Sequence, residues 1–388
     1  MIIPYGRQDI DQTDIDAVTD VLKSDYLTQG PAVPKFEEAL SRFCNAKYAV
    51  AVNSATSALH LACLALGVQS GDHVWTSPIT FVASANCARY CGAMIDFIDI
   101  DSKTYNLSIA ALEKKLKIAS LNGALPKVLI AVHLAGQPCE MRSLKLLSEK
   151  YGFRIIEDAS HAIGSEYENG PIGNSKYSDI TIFSFHPVKI ITTGEGGAAM
   201  TNDRNLFHRM QLLRSHGITR DTEHMVNSTH GPWYYEQLEL GFNYRITDIQ
   251  AALGFSQLRR LSEFLDKRRR LAARYDQLLA DLPVSTPWQD PRGKSAFHLY
   301  IIRLDLTKTR ISHKNIFENL RNCGILVNLH YIPIYRQPYY AKMGFDPENF
   351  PESEAYYREA ISLPLYPDLT FEQQTFVIEK LRENLILR

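Results

Sequence analysis

Ser184-Phe185-His186-Pro187-Val188-Lys189 follows a short apolar run, Ile180-Thr181-Ile182-Phe183, and leads into Gly194-Glu195-Gly196-Gly197. The lysine is therefore expected at a strand end, in a loop that ends in glycines. An amine in that setting suits attack on an aldehyde, because a desolvated pocket favours the neutral, nucleophilic form. A lysine chosen at random points into water, so the reading rests on what else converges there. Phe153-Arg154-Ile155-Ile156-Glu157-Asp158 ends a second apolar run in a carboxylate, about thirty residues earlier. A strand-end acid and a strand-end lysine can flank one flat cofactor. A buried carboxylate beside a pyridine nitrogen holds its proton in place, which is what lets pyridoxal phosphate act as an electron sink. The competing role for Asp158 is to cap the next segment.

Asn53-Ser54-Ala55-Thr56-Ser57 opens a helical pattern directly after a strand-like run at 49–52. Free amides and the positive end of the helix dipole meet there, and Thr56 and Ser57 add hydroxyls, which together make a phosphate seat. Ordinary capping by Ser54 or Thr56 competes with that reading. Ser184 brings a further hydroxyl to the lysine loop. Phe81, in Thr80-Phe81-Val82-Ala83-Ser84, follows another strand and could stack on a ring, although aromatics in such places are more often core.

The elements that must position these residues are short apolar runs at 48–52, 74–76, 95–98, 128–132 and 154–156, alternating with helical patterns at 57–66, 109–118 and 143–151. This alternation predicts an α/β fold, a mostly parallel central sheet with helices on both faces, with ligands beyond the carboxyl ends of the strands. Past residue 250 the pattern changes to one long charged helix over 251–279 and a smaller αβ region. The expected division is a large domain, 1–250, and a small C-terminal domain, 251–388. The run Lys267-Arg268-Arg269-Arg270 reads as the solvated face of that helix.

Across 388 residues, 42 basic and 43 acidic side chains nearly cancel, so no global field gathers nucleic acid or an anionic membrane. The start lacks a secretory pattern and no window approaches a membrane span, so a cytoplasmic protein is expected. The six cysteines are scattered without metal or redox spacing, and buried reduced thiols are expected.

Five motifs in order, Leu27-Thr28-Gln29-Gly30-Pro31 with Phe36-Glu37, Asn53 through His60, Glu157-Asp158, the lysine segment with its glycines, and Phe242-Asn243-Tyr244-Arg245, resemble the DegT-type nucleotide-sugar aminotransferases almost end to end. The resemblance implies a fold type I pyridoxal-phosphate enzyme, a homodimer with active sites built at the subunit interface. Lys189 would be the Schiff-base partner and the general acid/base, and Asp158 would meet the pyridine nitrogen. Thr56, Ser57 and Ser184 would hold the phosphate, with Asn243 reaching it from the partner subunit, and Phe81 becomes a stacking candidate. Many relatives carry glutamine three residues after the aspartate, near the ring hydroxyl; here that place is His161, whose contact is left open. A dehydratase branch replaces the lysine by histidine, and Lys189 argues against that branch.

Within the family, Arg214 through Arg220, Ser184 through Thr193, and His330 through Tyr335 are most similar to the aminotransferases of pseudaminic acid biosynthesis. That likeness implies UDP-2-acetamido-2,6-dideoxy-β-L-arabino-hex-4-ulose as substrate, L-glutamate as amino donor, and UDP-4-amino-4,6-dideoxy-N-acetyl-β-L-altrosamine as product. Matching positions suggest substrate contacts from Tyr5, Asp25, Tyr26, Leu27, Thr28, Ala55, Ser184, Asn243, His330, Tyr331, Ile332 and Pro333. The rival readings are an aminotransferase for another nucleotide 4-keto sugar, of the bacillosamine or perosamine type, and a pyridoxal-phosphate-binding regulator. A Rossmann oxidoreductase lacks its glycine turn here.

Overall fold

The computed structural model describes residues 2–385. Seven short strands form its central sheet: β1 (Tyr48–Val52), β2 (His73–Thr76), β3 (Met94–Phe97), β4 (Val128–Val132), β5 (Arg154–Asp158), β6 (Ile180–Ser184) and β7 (Gly197–Thr201), in the spatial order β1-β7-β6-β5-β4-β2-β3. All neighbours pair in parallel except β7, which runs antiparallel to both β1 and β6. Every residue of β4, β6 and β7 is buried, which explains uninterrupted apolar runs in place of alternation, since helices cover both faces of the sheet.

The two faces separate by the two-residue period of a strand. Leu129, Ile155 and Phe183 point into one core with Phe36 and Leu40 of α2 (Ala32–Cys44), Leu112 of α5 (Ile109–Asn122) and Leu144 of α6 (Met141–Tyr151). Val128, Ile156 and Ile182 point into the other, with α3 (Ala55–Ala65), α4 (Ala83–Tyr90) and α7 (Arg204–Arg214). The strands expected for the sheet and the helices expected between them are present to within a few residues. β7 was not among them, because Gly-Ala-Ala-Met has little strand propensity and forms only between two partners.

The single helix expected over 251–279 is two, α8 (Asp248–Arg259) and α9 (Leu261–Leu278). A capping box between Thr247 and Gln250 starts α8 early. The break falls at Arg260, whose guanidinium reaches Asp9, Asp11 and Asp14 at 2.8, 3.1 and 3.4 Å. α8 packs on α2 and on α1 (Gln12–Leu22), whereas Leu271 and Tyr275 of α9 enter a third core. That core holds Tyr300 and Ile302 of a strand, Tyr300–Leu304, that pairs with Ala360–Leu363.

The basic run in α9 is not simply a solvated face. Arg268 is 1% exposed and donates through Nη1 to the carbonyls of Phe297, His298 and Leu365 at 3.4, 3.2 and 2.9 Å. Arg269 donates to Ser295 and Gly164 carbonyls. Backbone carbonyls at the seam between cores need donors, and a helix face turned toward them supplies two guanidinium groups. Four cysteines are buried as expected, but Cys91 is half-buried and Cys323 is exposed. Among the described residues no helix is long and apolar enough to cross a membrane.

Candidate active site

The carboxyl ends of β1, β5 and β6 open onto a cavity of about 910 Å³. Lys189, Asp158, His161, Thr56, Ser57, Ala55, Ser184 and Phe81 all line it, as do Tyr5, His330 and Tyr331 from outside the central sheet. The lysine loop is held by its own backbone: Phe185 N donates to Gly196 O, Lys189 N to His186 O and Thr193 N to Phe185 O, at 2.9, 2.9 and 3.0 Å. Burial pushes the Lys189 amine down to about 8, and the opposing charge of Asp158 limits the drop. The amine is thus close to half neutral at moderately alkaline pH.

Asp158 is 5% exposed and tightly oriented. Ser84 Oγ donates to Oδ2 at 2.6 Å, and Ser160 donates to Oδ1 through both Oγ at 2.6 Å and its amide at 3.1 Å. Thr80 Oγ1 lies 2.9 Å from Ser84 Oγ, whose hydrogen is already committed to the carboxylate, so the threonine donates to the serine. Sequence reasoning passed over Ser84 and Ser160. The four-residue spacing of Thr80 and Ser84 at a helix start was the available signal. On the opposite side of β5, Glu157 meets His133 Nε2 at 2.7 Å and accepts from Ser178 and Thr181 hydroxyls. His133 Nδ1 accepts from the Cys139 amide at 3.0 Å, so its Nε2 carries the proton donated to Glu157.

Helix α3 starts as the sequence suggested, and Ser54 is its N-cap, its Oγ accepting from Ser57 N at 3.1 Å. Ser57 Oγ donates to Asn53 Oδ1 at 2.7 Å. Capping and an anion seat coexist: the first-turn amides of Ala55 and Thr56, which a helix leaves unpaired, border the cavity. Gly197 allows this approach, because a Cβ there would sit 2.5 Å from Ala55 N and 2.7 Å from Ser54 C. The register places Gly197 opposite both Val52 and Ser184, so an antiparallel strand begins where its two neighbours end.

His161 is 5% exposed. Its Nδ1 accepts from Ala135 N at 3.2 Å, its Nε2 lies 3.1 Å from Tyr331 OH, and its ring packs 4.4 Å from that of His298. Burial and the nearby Lys189 hold it well below the usual histidine range. His330, pushed down to about 3 by burial and Lys189, bonds Ser362 Oγ through Nδ1 at 2.8 Å. His298, Asn328 and Leu329 also line the cavity and were not anticipated.

Several candidates lie outside this lining. Asp25, Tyr26, Leu27 and Thr28 are exposed between α1 and α2, where Asp248 N holds the Leu27 carbonyl at 3.0 Å. Ile332 is exposed and Pro333 is buried beyond the cavity wall. Asn243 is exposed beside the α3 start, and Asn53 Nδ2 reaches its carbonyl at 3.5 Å.

The DegT/DnrJ/EryC1/StrS aminotransferase family matches residues 8–382. The chain belongs to this family. It is 39% identical over 98% of its length, and 96% of the relative's, to a UDP-4-amino-4,6-dideoxy-N-acetyl-beta-L-altrosamine transaminase of Campylobacter jejuni. The structure superposes with a TM-score of 0.90 and 34% identity on Helicobacter pylori PseC, an aminotransferase involved in the biosynthesis of pseudoaminic acid, covering 99% of both chains. The putative sugar aminotransferase Spr1654 from Streptococcus pneumoniae, solved in PLP and PMP forms, matches with a TM-score of 0.88 and 30% identity, over 99% of this chain and 98% of that one for the PLP form.

As a DegT-type enzyme, the chain is an aminotransferase of fold type I that uses pyridoxal 5′-phosphate. The donor set fits that cofactor. A desolvated lysine amine is available for an aldehyde, an oriented carboxylate for a pyridine nitrogen, and unpaired amides at a helix start for a phosphate.

Proposed function

We propose that this DegT-family aminotransferase transfers an amino group from L-glutamate to UDP-2-acetamido-2,6-dideoxy-β-L-arabino-hex-4-ulose. The products would be 2-oxoglutarate and UDP-4-amino-4,6-dideoxy-N-acetyl-β-L-altrosamine. The observation that carries the chemistry is the pairing, in one cavity, of the desolvated Lys189 amine with the clamped Asp158 carboxylate. The 39% identity with the altrosamine transaminase supports the choice of sugar.

Pyridoxal phosphate supplies an aldehyde that captures amines and a ring that withdraws electrons from the adjoining carbon. Lys189 would hold that aldehyde through Nζ, and once freed by an incoming amine the same Nζ would serve as the proton carrier. Nζ would accept the proton that leaves the donor's α-carbon and return it to the cofactor's aldehyde carbon, then run that exchange in reverse to deliver a proton to C4 of the sugar. Asp158, oriented by Ser84 and Ser160, meets the pyridine nitrogen. The α3 amides with Thr56, Ser57 and Ser184 would hold the phosphate, and Phe81 would cover the ring. Tyr5, Ala55, His330 and Tyr331 contact the sugar nucleotide from the cavity wall. Asn243 and the exposed Asp25 through Thr28 serve a site shared with the partner in a homodimer. Exposed Ile332 extends that substrate contact beyond the wall, whereas Pro333, buried and off the cavity, makes none, and the enzyme works in the cytoplasm.

A panel of nucleotide 4-keto sugars supplied with glutamate, read by product mass and stereochemistry, tests the assignment. The β-L-arabino ketose is expected to show the highest kcat/KM. A preference for a D-series 4-keto isomer would sink it.

A further inference from the structure

The Ala135 amide is held rigidly. Ala135 and Gly136 both take left-handed backbone conformations, with φ of 58° and 98°. A Cβ on Gly136 would lie 2.9 Å from the His161 carbonyl, so only glycine fits the turn. Asn106 braces the same turn, accepting from Leu134 N and donating to Gln137 O, both at 2.9 Å. Ser165 Oγ donates to Gly136 O at 2.6 Å. The amide of Ala135 therefore points at His161 Nδ1 by construction.

An imidazole nitrogen that accepts from a backbone amide cannot carry a proton. The neutral ring then has its hydrogen on Nε2 and donates it to Tyr331 OH, 3.1 Å away. His298 packs on the ring without a hydrogen bond to it, its own Nδ1 buried and unpartnered. Lys189 and His330 are the other titratable groups facing His161, and a positive charge on the amine also disfavours an imidazolium. With its oxygen accepting from His161, Tyr331 keeps its phenol hydrogen for the cavity it lines, near Asp158 and Tyr5.

We propose that His161 is a positioning residue that fixes Tyr331 as a one-way hydrogen-bond donor into the cavity, aimed at an oxygen acceptor of the bound molecules. The acceptor is either the ring hydroxyl oxygen of the cofactor or the carbonyl oxygen of the keto sugar. The inference rests on the active-site assignment proposed above. Direction matters because a phenol that had to donate back to histidine would meet an incoming oxygen with its lone pair.

The test uses holoenzymes of Tyr331→Phe, His161→Phe and His161→Gln. If the cofactor is the acceptor, Tyr331→Phe raises the midpoint of the holoenzyme's pH-dependent absorbance change by about one unit, the effect of one hydrogen bond to a charged oxygen. If the sugar is the acceptor, that midpoint stays put. The sugar half-reaction then slows about tenfold while the glutamate half-reaction is unchanged. In either case His161→Phe, which releases the phenol from its fixed orientation without removing its hydrogen, gives part of the Tyr331→Phe effect, and the double variant is no worse than Tyr331→Phe alone. His161→Gln rescues, because its amide N–H reaches the Nε2 position. Should the phenylalanine variant fail to fold, His161→Asn, which keeps an acceptor for Ala135 but no donor for Tyr331, takes its place. The inference is overturned if Tyr331→Phe moves neither readout, or if the His161 effect adds in full to it. Lys189→Ala separates the underlying assignment: if that variant still binds cofactor covalently as the wild type does, the site itself is misassigned.

Discussion

At the scale of single residues, chemistry depends on one amine being ready to lose a proton. Lys189 is pushed down from its ordinary 10.5 to about 8 because its buried surroundings solvate the ammonium poorly. Two consequences can be measured. Lys189→Ala should bind pyridoxal phosphate non-covalently and lose kcat by ~10³-fold or more, checked by absorbance and single-turnover assays. In cofactor-free protein, capture of pyridoxal phosphate should accelerate as pH rises through about 8, since only the neutral amine attacks. A midpoint near 10, followed by stopped-flow absorbance, would show that the lysine is not desolvated. Asp158 is a different case: three hydrogen bonds from Ser84 and Ser160 fix where its oxygens point. The lysine and aspartate were legible from residue type and position at the ends of apolar runs. Ser160 was not, and Ser84 showed only the four-residue spacing from Thr80, because a serine becomes an orienting group only when folding sets it beside a carboxylate.

At the scale of elements, the site is made by the junction of β7 with the start of α3. β7 begins with Gly197 against the backbone of Ser54 and Ala55, leaving no room for a side chain. Gly197→Ala should push α3 away from β7, weakening cofactor affinity at least tenfold and lowering the unfolding midpoint; equilibrium dialysis and thermal unfolding check both. If affinity were unchanged, the helix start would not be the phosphate seat. The strand itself escaped the sequence, since a Gly-Ala-Ala-Met segment is a strand only by virtue of its two neighbours. The break at Arg260 escaped for a similar reason. Helical periodicity runs on through it, and the three aspartates that draw the guanidinium aside lie about 250 positions earlier in the chain.

At the scale of the whole molecule, two sheet-face cores and a third, C-terminal core meet around the cavity, and buried Arg268 ties carbonyls at their seam. Tyr5 of the N-terminal segment, Ala135 and Tyr331 pack together on a fourth, smaller cluster that includes Ile79, Leu134, Leu299 and Tyr356, so this wall of the cavity joins segments far apart in the chain. The proposed dimer adds a further layer, in which Asn243 serves the neighbour's phosphate. Mixing Lys189→Ala and Asn243→Ala subunits should restore about a quarter of wild-type activity, because random pairing in a two-fold dimer makes half the dimers hybrid, each with one intact site. No recovery on mixing, with hybrids verified by mass, would remove Asn243 from the partner's site.

What the sequence determined by itself was the alternation of buried strands and helices, and with it the sheet and the strand-end lysine and aspartate. These follow from local patterning, because burial on both faces leaves a continuous apolar signature. What only the tertiary structure decided was the set of relations between distant residues. Arg268 serves the carbonyls of a seam and not the solvent, and His161, whose contact the sequence left open, takes Ala135 and Tyr331 as its partners at the cavity wall. A hydrogen-bond direction depends on which groups meet in space, and no spacing along the chain encodes a contact between residues 135, 161 and 331.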